Sequence, residues 1–334
     1  MQLAERFISY IMMPMSFRVR CTATPLVIAA VLTGCARTAP SIAPVPSPDA
    51  SVAGLRVVAA SSGNTIAFSQ LADDAAKADI VFFGEQHDDA ETHRAELSLL
   101  SAISERRGKV ILSLEMFERD VQPLLDAYLA GTLSEAEFRA QSRPWPNYET
   151  DYRPLVELAK AKQWPVLASN IPRRFASMVS RRGLSAIDSL ESGDRAHVAQ
   201  EILCPKDQYY RNFVAVMGGG HGGAPPATAP SASSMSGMTD LFYEAQCVKD
   251  ETMAESIARA RAAYGDNTII VHVNGSFHSD FGLGTAARVR RRLPSARTVV
   301  VSAVPTPDPA KAKAAELLDR GQYIVIVRRL APTR

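Results

Sequence analysis

Residues 79–87 read DIVFFGEQH, a short apolar run that ends in a glycine and three polar residues. A run of this length, bounded by polar residues, is typical of a strand that is buried on both faces. Residues 89–107 follow it, and their apolar positions have helical spacing. These positions are Ala90, Leu97, Leu100 and Ile103. We therefore predict a strand that leads directly into a helix.

The same alternation of apolar runs with amphipathic segments recurs along the chain. The further runs are 109–114, 165–168, 268–273, 298–302 and 323–328. Buried strands separated by helices predict an α/β fold with a largely parallel central sheet flanked by helices. Helical patterns dominate between about 121 and 264, which predicts an inserted helical cap. A further helix is predicted near 310–318.

Polar residues follow four of the predicted strands. They are Glu85, His87, Glu115, Asn170 and His278. Taken singly, each is more often structural, as a capping carboxylate or a hydrogen-bonded surface imidazole. In an open parallel sheet, however, the carboxyl ends of the strands meet at one edge, where ligands bind. We therefore predict a functional site at that edge.

The N-terminal segment has the order of a secretory signal. Arg18 and Arg20 precede an apolar run, 26–32, which is too short to span a bilayer. The run leads into LTGC at 32–35, which resembles the bacterial lipobox, so we expect a signal peptide over 1–35 and lipidation of Cys35. The alternative is an ordinary secretory signal with an incidental cysteine. Glu5 fits no signal n-region, which favours translation from Met15.

Residues 36–52 are rich in Pro, Ala and Ser and predict a flexible linker to a domain over 53–330. Cys204 and Cys247 are the cysteines left after the signal. In an exported chain they predict a disulfide, with two unpaired buried thiols as the alternative. This bridge would close the base of a Gly-, Ser-, Ala- and Pro-rich insertion, about 218–238, that we expect to be disordered.

The overall charge excludes one class of partner. Lys and Arg total 37 against 35 Asp and Glu, so the net charge is only +2. Such a chain has no field that would hold a polyanion, and we expect no nucleic-acid binding. The hydrophobic fraction of 46% is that of a globular protein.

Five segments together resemble the ChaN family of haem-binding lipoproteins, within the Tiki, TraB and erythromycin-esterase superfamily. They are FFGEQHDDAETH (82–93), SLEMFERD (113–120), ASNIPRR (168–174), AQCVKDETMA (245–254) and NGSFHSDFGLG (274–284). The similarity extends from about Val57 to Arg328. It implies an exported protein that binds ferric haem without a covalent bond, and the chain contains no CxxCH motif.

The resemblance also implies a tyrosine ligand to the iron and cofacial haems shared across a homodimer. Phenolate is a hard anionic ligand that suits ferric iron. The candidate tyrosines are Tyr209 and Tyr210, which we favour, and Tyr148 and Tyr152. The alternative for each is a packed ring with a hydrated hydroxyl. The other candidate haem-binding residues are His87, His278, Asn170 and Arg173, whose guanidinium suits a propionate.

Two other functions stay open on this sequence. Members of the wider superfamily hydrolyse esters or resemble metal-dependent proteases. Here Glu85 or Glu115 would act as general base, with His87 and His278 as metal ligands or proton carriers. In the third interpretation the strand-end residues only hold the loops, and function depends on protein contacts.

The expected location is the bacterial envelope. Ala36 follows the predicted lipidated cysteine, whereas the usual signal for inner-membrane retention is Asp at that position, so we expect the outer membrane. The expected partners are haem, the membrane through the lipid anchor, a second copy of the chain, and an outer-membrane haem receptor.

Overall fold

The computed structural model describes residues 54–218 and 232–329. The predicted signal peptide with Cys35, and the predicted linker, lie outside these residues. Positions 219–231 of the predicted insertion also lie outside them. Within the part of the chain that is described, no helix has the length and apolar character needed to cross a membrane.

The described strands form one eight-stranded sheet. They are β1 (Arg56–Ala59), β2 (Asn64–Ile66), β3 (Ile80–Glu85), β4 (Val110–Glu118), β5 (Val166–Asn170), β6 (Ile269–Gly275), β7 (Thr298–Thr306) and β8 (Tyr323–Arg328). Their order is β2-β1-β8-β7-β3-β6-β4-β5. The strands from β8 to β5 are parallel, and β1 and β2 add an antiparallel edge. The predicted α/β class with a largely parallel sheet is confirmed.

The helices connect these strands. They are α1 (Phe68–Ala75), α2 (Ala90–Arg106), α3 (Gln122–Leu129), α4 (Glu135–Ser142), α5 (Arg153–Ala161), α6 (Arg173–Arg182), α7 (Ser192–Arg195), α8 (Gln208–Gly218), α9 (Ala232–Tyr264) and α10 (Gly284–Arg292).

Successive residues of β3 face opposite layers of helices. Val81 and Phe83 belong to the core that includes Leu99 of α2, whereas Phe82 belongs to the core that includes Ile257 of α9. This alternation follows from the period of two in a strand, and it explains why β3 is apolar throughout.

Two sequence predictions differ from the structure. The helices of 121–264 are divided by β5, the strand predicted from the 165–168 run, which pairs with β4 at the sheet edge. The helix predicted near 310–318 is wrong, since only one 3₁₀ turn, Ala314–Glu316, forms there. Helix α9 begins at Ala232, so the last residues of the predicted insertion are helical.

Candidate functional site

A cleft of about 720 Å³ opens at the carboxyl ends of the central strands. Its lining includes six of the residues predicted for the site, namely Glu85, His87, Glu115, Asn170, Arg173 and His278. The parallel register of β3, β6, β4 and β5 brings these residues together.

Glu85 and His87 form the first ion pair of the cleft. His87 Nδ1 donates to Glu85 Oε1 over 2.5 Å, and the His87 side chain is 42% exposed while that of Glu85 is fully buried. Burial alone would raise the pKa of Glu85, but hydrogen bonds from His87 and His93 outweigh it and hold that pKa at about 2. Burial lowers the pKa of His87, yet the bond to Glu85 and the charge of Glu115 give a net rise. The pair is therefore an imidazolium bound to a carboxylate.

A second ion pair joins Glu115 to His278 beside the first. His278 Nε2 lies 3.3 Å from Glu115 Oε1, and its Nδ1 lies 2.7 Å from Asp250 Oδ1 on α9. Gly275 N donates to Glu115 Oε2 over 2.8 Å. Burial lowers the pKa of His278, but the two carboxylates outweigh this effect and raise it to about 10. His278 is thus a buried cation between two carboxylates.

Asp250 was not identified as a site residue from the sequence. It lies in AQCVKDETMA, a segment that carries the family resemblance, but nothing in the pattern of that segment indicates that α9 places Asp250 against His278. Asn170 was identified, and its side chain holds backbone in place. Its Nδ2 donates to Glu115 O over 3.0 Å and its Oδ1 accepts from Ile171 N over 2.9 Å.

The remainder of the cleft combines apolar side chains with free cations. The apolar lining includes Trp145, Phe213, Val216, Met217 and Phe242. Val216, Met217 and Phe242 are exposed. Arg173 and Lys249 also line the cleft. Their side chains form no hydrogen bond or ion pair with any residue of 54–218 or 232–329. The cleft can therefore take a flat apolar ligand that carries carboxylates.

The tyrosines Tyr148 and Tyr152 lie behind the cleft rather than on its surface. Tyr152 is fully buried, and its hydroxyl donates to Glu85 Oε1 over 2.8 Å. Tyr148 is buried against Phe117. Burial raises the pKa of both phenols.

Tyr209 and Tyr210 lie on α8, and neither lines the main cleft. Tyr209 is buried and lines a neighbouring cavity of about 700 Å³. Its hydroxyl accepts from Gln246 Nε2 over 3.1 Å. Tyr210 donates to Asp240 Oδ1 over 2.7 Å. Burial raises the pKa of Tyr209 well above its usual value, so its phenol is neutral.

The two remaining cysteines are adjacent. Cys204 Sγ and Cys247 Sγ lie 2.04 Å apart, at bonding distance. This geometry agrees with the predicted pairing, and Cys247 is fully buried in the small core that includes Tyr209 and Tyr243.

The family profile described as haem-binding uptake, Tiki superfamily, ChaN matches residues 71–289, and the chain belongs to this family. A solved structure of ChaN of Campylobacter jejuni with cofacial haem is similar in fold. Its TM-score is 0.61 at 16% identity, over 81% of this chain and 96% of that chain. A mutant of erythromycin esterase EreC in its open conformation has a TM-score of 0.42 at 14% identity, over 80% of each chain.

A curated plant protein also matches in sequence. It is Protein RETICULATA-RELATED 5, chloroplastic, of Arabidopsis thaliana, which is 23% identical over 203 residues. The match covers 57% of this chain and 25% of the plant protein, so the chain spans about a quarter of the length of that relative.

Proposed function

We propose that this chain is an envelope lipoprotein that binds ferric haem without a covalent bond and serves haem and iron uptake. Membership of the ChaN family supports haem as the ligand. The observation that carries the proposal is the cleft, which joins an apolar wall to Arg173 and Lys249, two cations that form no ion pair with another described residue. Haem is a flat apolar cargo with two propionates, so the wall takes the ring while the cations pair with the carboxylates.

We further propose His87 as the residue that ligates the iron. Of the two histidines that line the cleft, His278 is buried between carboxylates, whereas the His87 side chain is 42% exposed. Glu85 accepts from Nδ1 of His87, so Nε2 is the nitrogen that would bind the metal, in place of the proton that it carries in the imidazolium. An anionic hydrogen-bond partner also makes the imidazole a stronger donor to iron. The tyrosine ligands that the family implies stay a prediction, which the same experiment tests.

The test compares three variants by absorbance after addition of ferric haem. His87→Ala is expected to weaken binding and to change the ligand-dependent bands, whereas Tyr209→Phe and Tyr210→Phe are expected to keep the wild-type spectrum. Circular dichroism of each variant shows that the fold is intact. Loss of the spectrum in a tyrosine variant, with no change in His87→Ala, would contradict the assignment.

The envelope location rests on Cys35 and the lipobox-like segment before it. Acyl chains contribute about 0.8 kcal/mol per buried methylene, so several chains anchor a protein stably. Cells that express the chain are expected to incorporate labelled palmitate into it, and Cys35→Ser is expected to abolish the label. Because Ala36 rather than Asp follows Cys35, we expect the lipoprotein to lie in the outer membrane. Its partner there would be a haem receptor. Label retained in Cys35→Ser would exclude this anchor.

A homodimer formed on haem binding is part of the same proposal. Val216, Met217 and Phe242 are exposed side chains at the cleft, and a second copy bound over it would remove their apolar surface from water. Sedimentation with and without haem tests this. A chain that stays monomeric when saturated with haem would exclude the dimer.

A second candidate function is hydrolysis, which the Glu115, His278 and Asp250 arrangement favours. Two carboxylates around one imidazole can move a proton to or from a bound substrate. The metal-dependent form of this hydrolase, with His87 and His278 as ligands, stays a prediction, and the acid–base form needs only the contacts given above. Any esterase or peptidase rate is expected to fall by roughly 10²–10⁴ in Glu115→Gln. No measurable rate in the wild type would exclude this function.

A further inference from the structure

Three buried side chains converge at the inner wall of the cleft, and of the three Glu85 also lines the cleft. Glu85 lies at the end of β3, and His93 and Glu96 are three residues apart on α2, so they share one face of that helix. His93 Nδ1 lies 3.1 Å from Glu85 Oε2 and 3.5 Å from Glu96 Oε2. The exposed fractions are 1% for Glu85, 4% for His93 and 1% for Glu96. These donor atoms lie within 4.8 Å of one another.

Both carboxylate oxygens of Glu96 have no hydrogen-bond partner within the described ranges. The imidazole between the two carboxylates is that of His93, and its Nδ1 pairs more closely with Glu85 than with Glu96. Leaving a buried polar atom unpaired costs about 1–3 kcal/mol, and more where the group is charged. Two buried carboxylates that share one imidazole therefore point to a site for a further cation.

The far side of the His93 ring determines which nitrogen is free to bind a metal. Nε2 lies 3.3 Å from the carbonyl oxygen of His87 and 3.6 Å from Asp151 Oδ2. Asn147 Nδ2 donates to both of these acceptors. Both acceptors suit a proton on Nε2, so Nδ1, which faces the two carboxylates, would be the nitrogen that binds a metal. A metal-bound histidine in proteins almost always donates its other N–H to a carbonyl or carboxylate in this way.

We propose that Glu85, His93 and Glu96 form a binding site for a divalent transition metal, with zinc as the cation that suits this donor set. Zinc binds imidazole nitrogen and carboxylate oxygen at about 2.0–2.2 Å, so tetrahedral ligands lie about 3.3–3.5 Å apart. The separation of 3.5 Å between His93 Nδ1 and Glu96 Oε2 matches that spacing, and the 3.1 Å between His93 Nδ1 and Glu85 Oε2 is slightly shorter. Two carboxylates also balance the two positive charges of the ion.

The other oxygen of Glu85, Oε1, accepts from Tyr152 and His87, which orient the carboxylate. The site does not include Glu115 or His278, but it shares Glu85 with the His87 pair of the cleft.

The experiment measures zinc in the purified protein by elemental analysis, then titrates chelator-treated protein with zinc and follows the melting temperature. The expected result is a single zinc ion per chain and a rise in the melting temperature. Glu96→Gln is expected to lose both, whereas the matched control Glu115→Gln, a buried carboxylate of the cleft, is expected to keep both. Zinc retained in Glu96→Gln but lost in Glu115→Gln would overturn the proposal.

A measurement on the unchanged chain keeps the proposal testable if Glu96→Gln does not fold. X-ray absorption of the zinc-loaded protein is expected to show one imidazole and otherwise oxygen donors. Cobalt in place of zinc is expected to give the strong visible bands of a tetrahedral site. Two imidazoles would place the ion between His87 and His278, and no bound zinc would leave the cluster a proton-sharing network. Either result would overturn the proposal.

Discussion

The imidazole of His87 lies against the backbone of Gly275 with no room for a side chain between them. A Cβ built on Gly275 would lie 2.5 Å from His87 Nε2 and 2.8 Å from its Cε1. The position of the His87 ring therefore requires glycine at the end of β6. His87 follows the end of β3, the strand that pairs with β6. The close approach and the Glu85 hydrogen bond together fix the orientation of the ring.

Gly275→Ala is expected to displace His87 and to weaken haem binding by at least about fivefold, because overpacking of this kind costs about 1–3 kcal/mol. Absorbance titration measures the loss. The matched control is Gly108→Ala, since a Cβ at Gly108 would meet no atom within 4 Å. Equal haem affinity in the two variants would show that the ring position does not matter for binding.

Arg173→Gln and Lys249→Gln are each expected to weaken haem binding roughly threefold, because a partly exposed ion pair contributes up to about 1 kcal/mol. The dimethyl ester of haem lacks the propionate charges, so its affinity is expected to be the same in the wild type and both variants. Arg182→Gln is the control, since Arg182 lies on the same helix as Arg173 but does not line the cleft. If the variants lose as much affinity for the dimethyl ester as for haem, the two cations do not act by pairing with the propionates.

His272 is expected to make the folded state less stable as the pH falls. It is fully buried on β6, with only its Nδ1 bonded, to Ser113 Oγ over 2.9 Å. Burial lowers the pKa of His272 from 6.5 to about 4, so between these values the unfolded chain binds the proton and the folded chain does not. The free energy of unfolding should therefore decrease as the pH falls from 6.5 to 4, by up to about 1.4 kcal/mol per pH unit from this residue.

Denaturant unfolding at a series of pH values checks this contribution. Other groups titrate in the same window, so the slope is compared with that of His272→Gln, which removes the imidazole. A variant with the same slope as the wild type would show that His272 does not contribute.

The pair Cys204 and Cys247 is expected to be oxidised in protein taken from the envelope. The two are 43 residues apart, and closing a loop of that length stabilises a fold by about 4 kcal/mol in the chain-entropy model. Reduction should therefore lower the denaturation midpoint of the wild type but not that of a Cys204→Ser, Cys247→Ser double variant. Mass spectrometry after alkylation counts the free thiols directly, and two labelled cysteines at these positions would rule the bond out.

The central strands could be predicted because burial on both faces leaves an unbroken apolar run, as in β3 and β6. The strand-end residues followed from them, because parallel strands end at one edge. The hairpin of β1 and β2 could not be predicted, since strands of four and three residues leave too little pattern. Asp250 and Glu96 were missed because their roles depend on how α9 and α2 pack against the sheet, which local spacing does not determine.

The central claim is that the cleft binds haem, and titration of the purified protein with ferric haem tests it most directly. Absorbance is recorded at each addition, and sedimentation is measured at the same points. The expected result is a saturable spectral change at one haem per chain, with a shift from monomer to dimer. A spectrum that never saturates, or that is identical to free haem at every ratio, would contradict it.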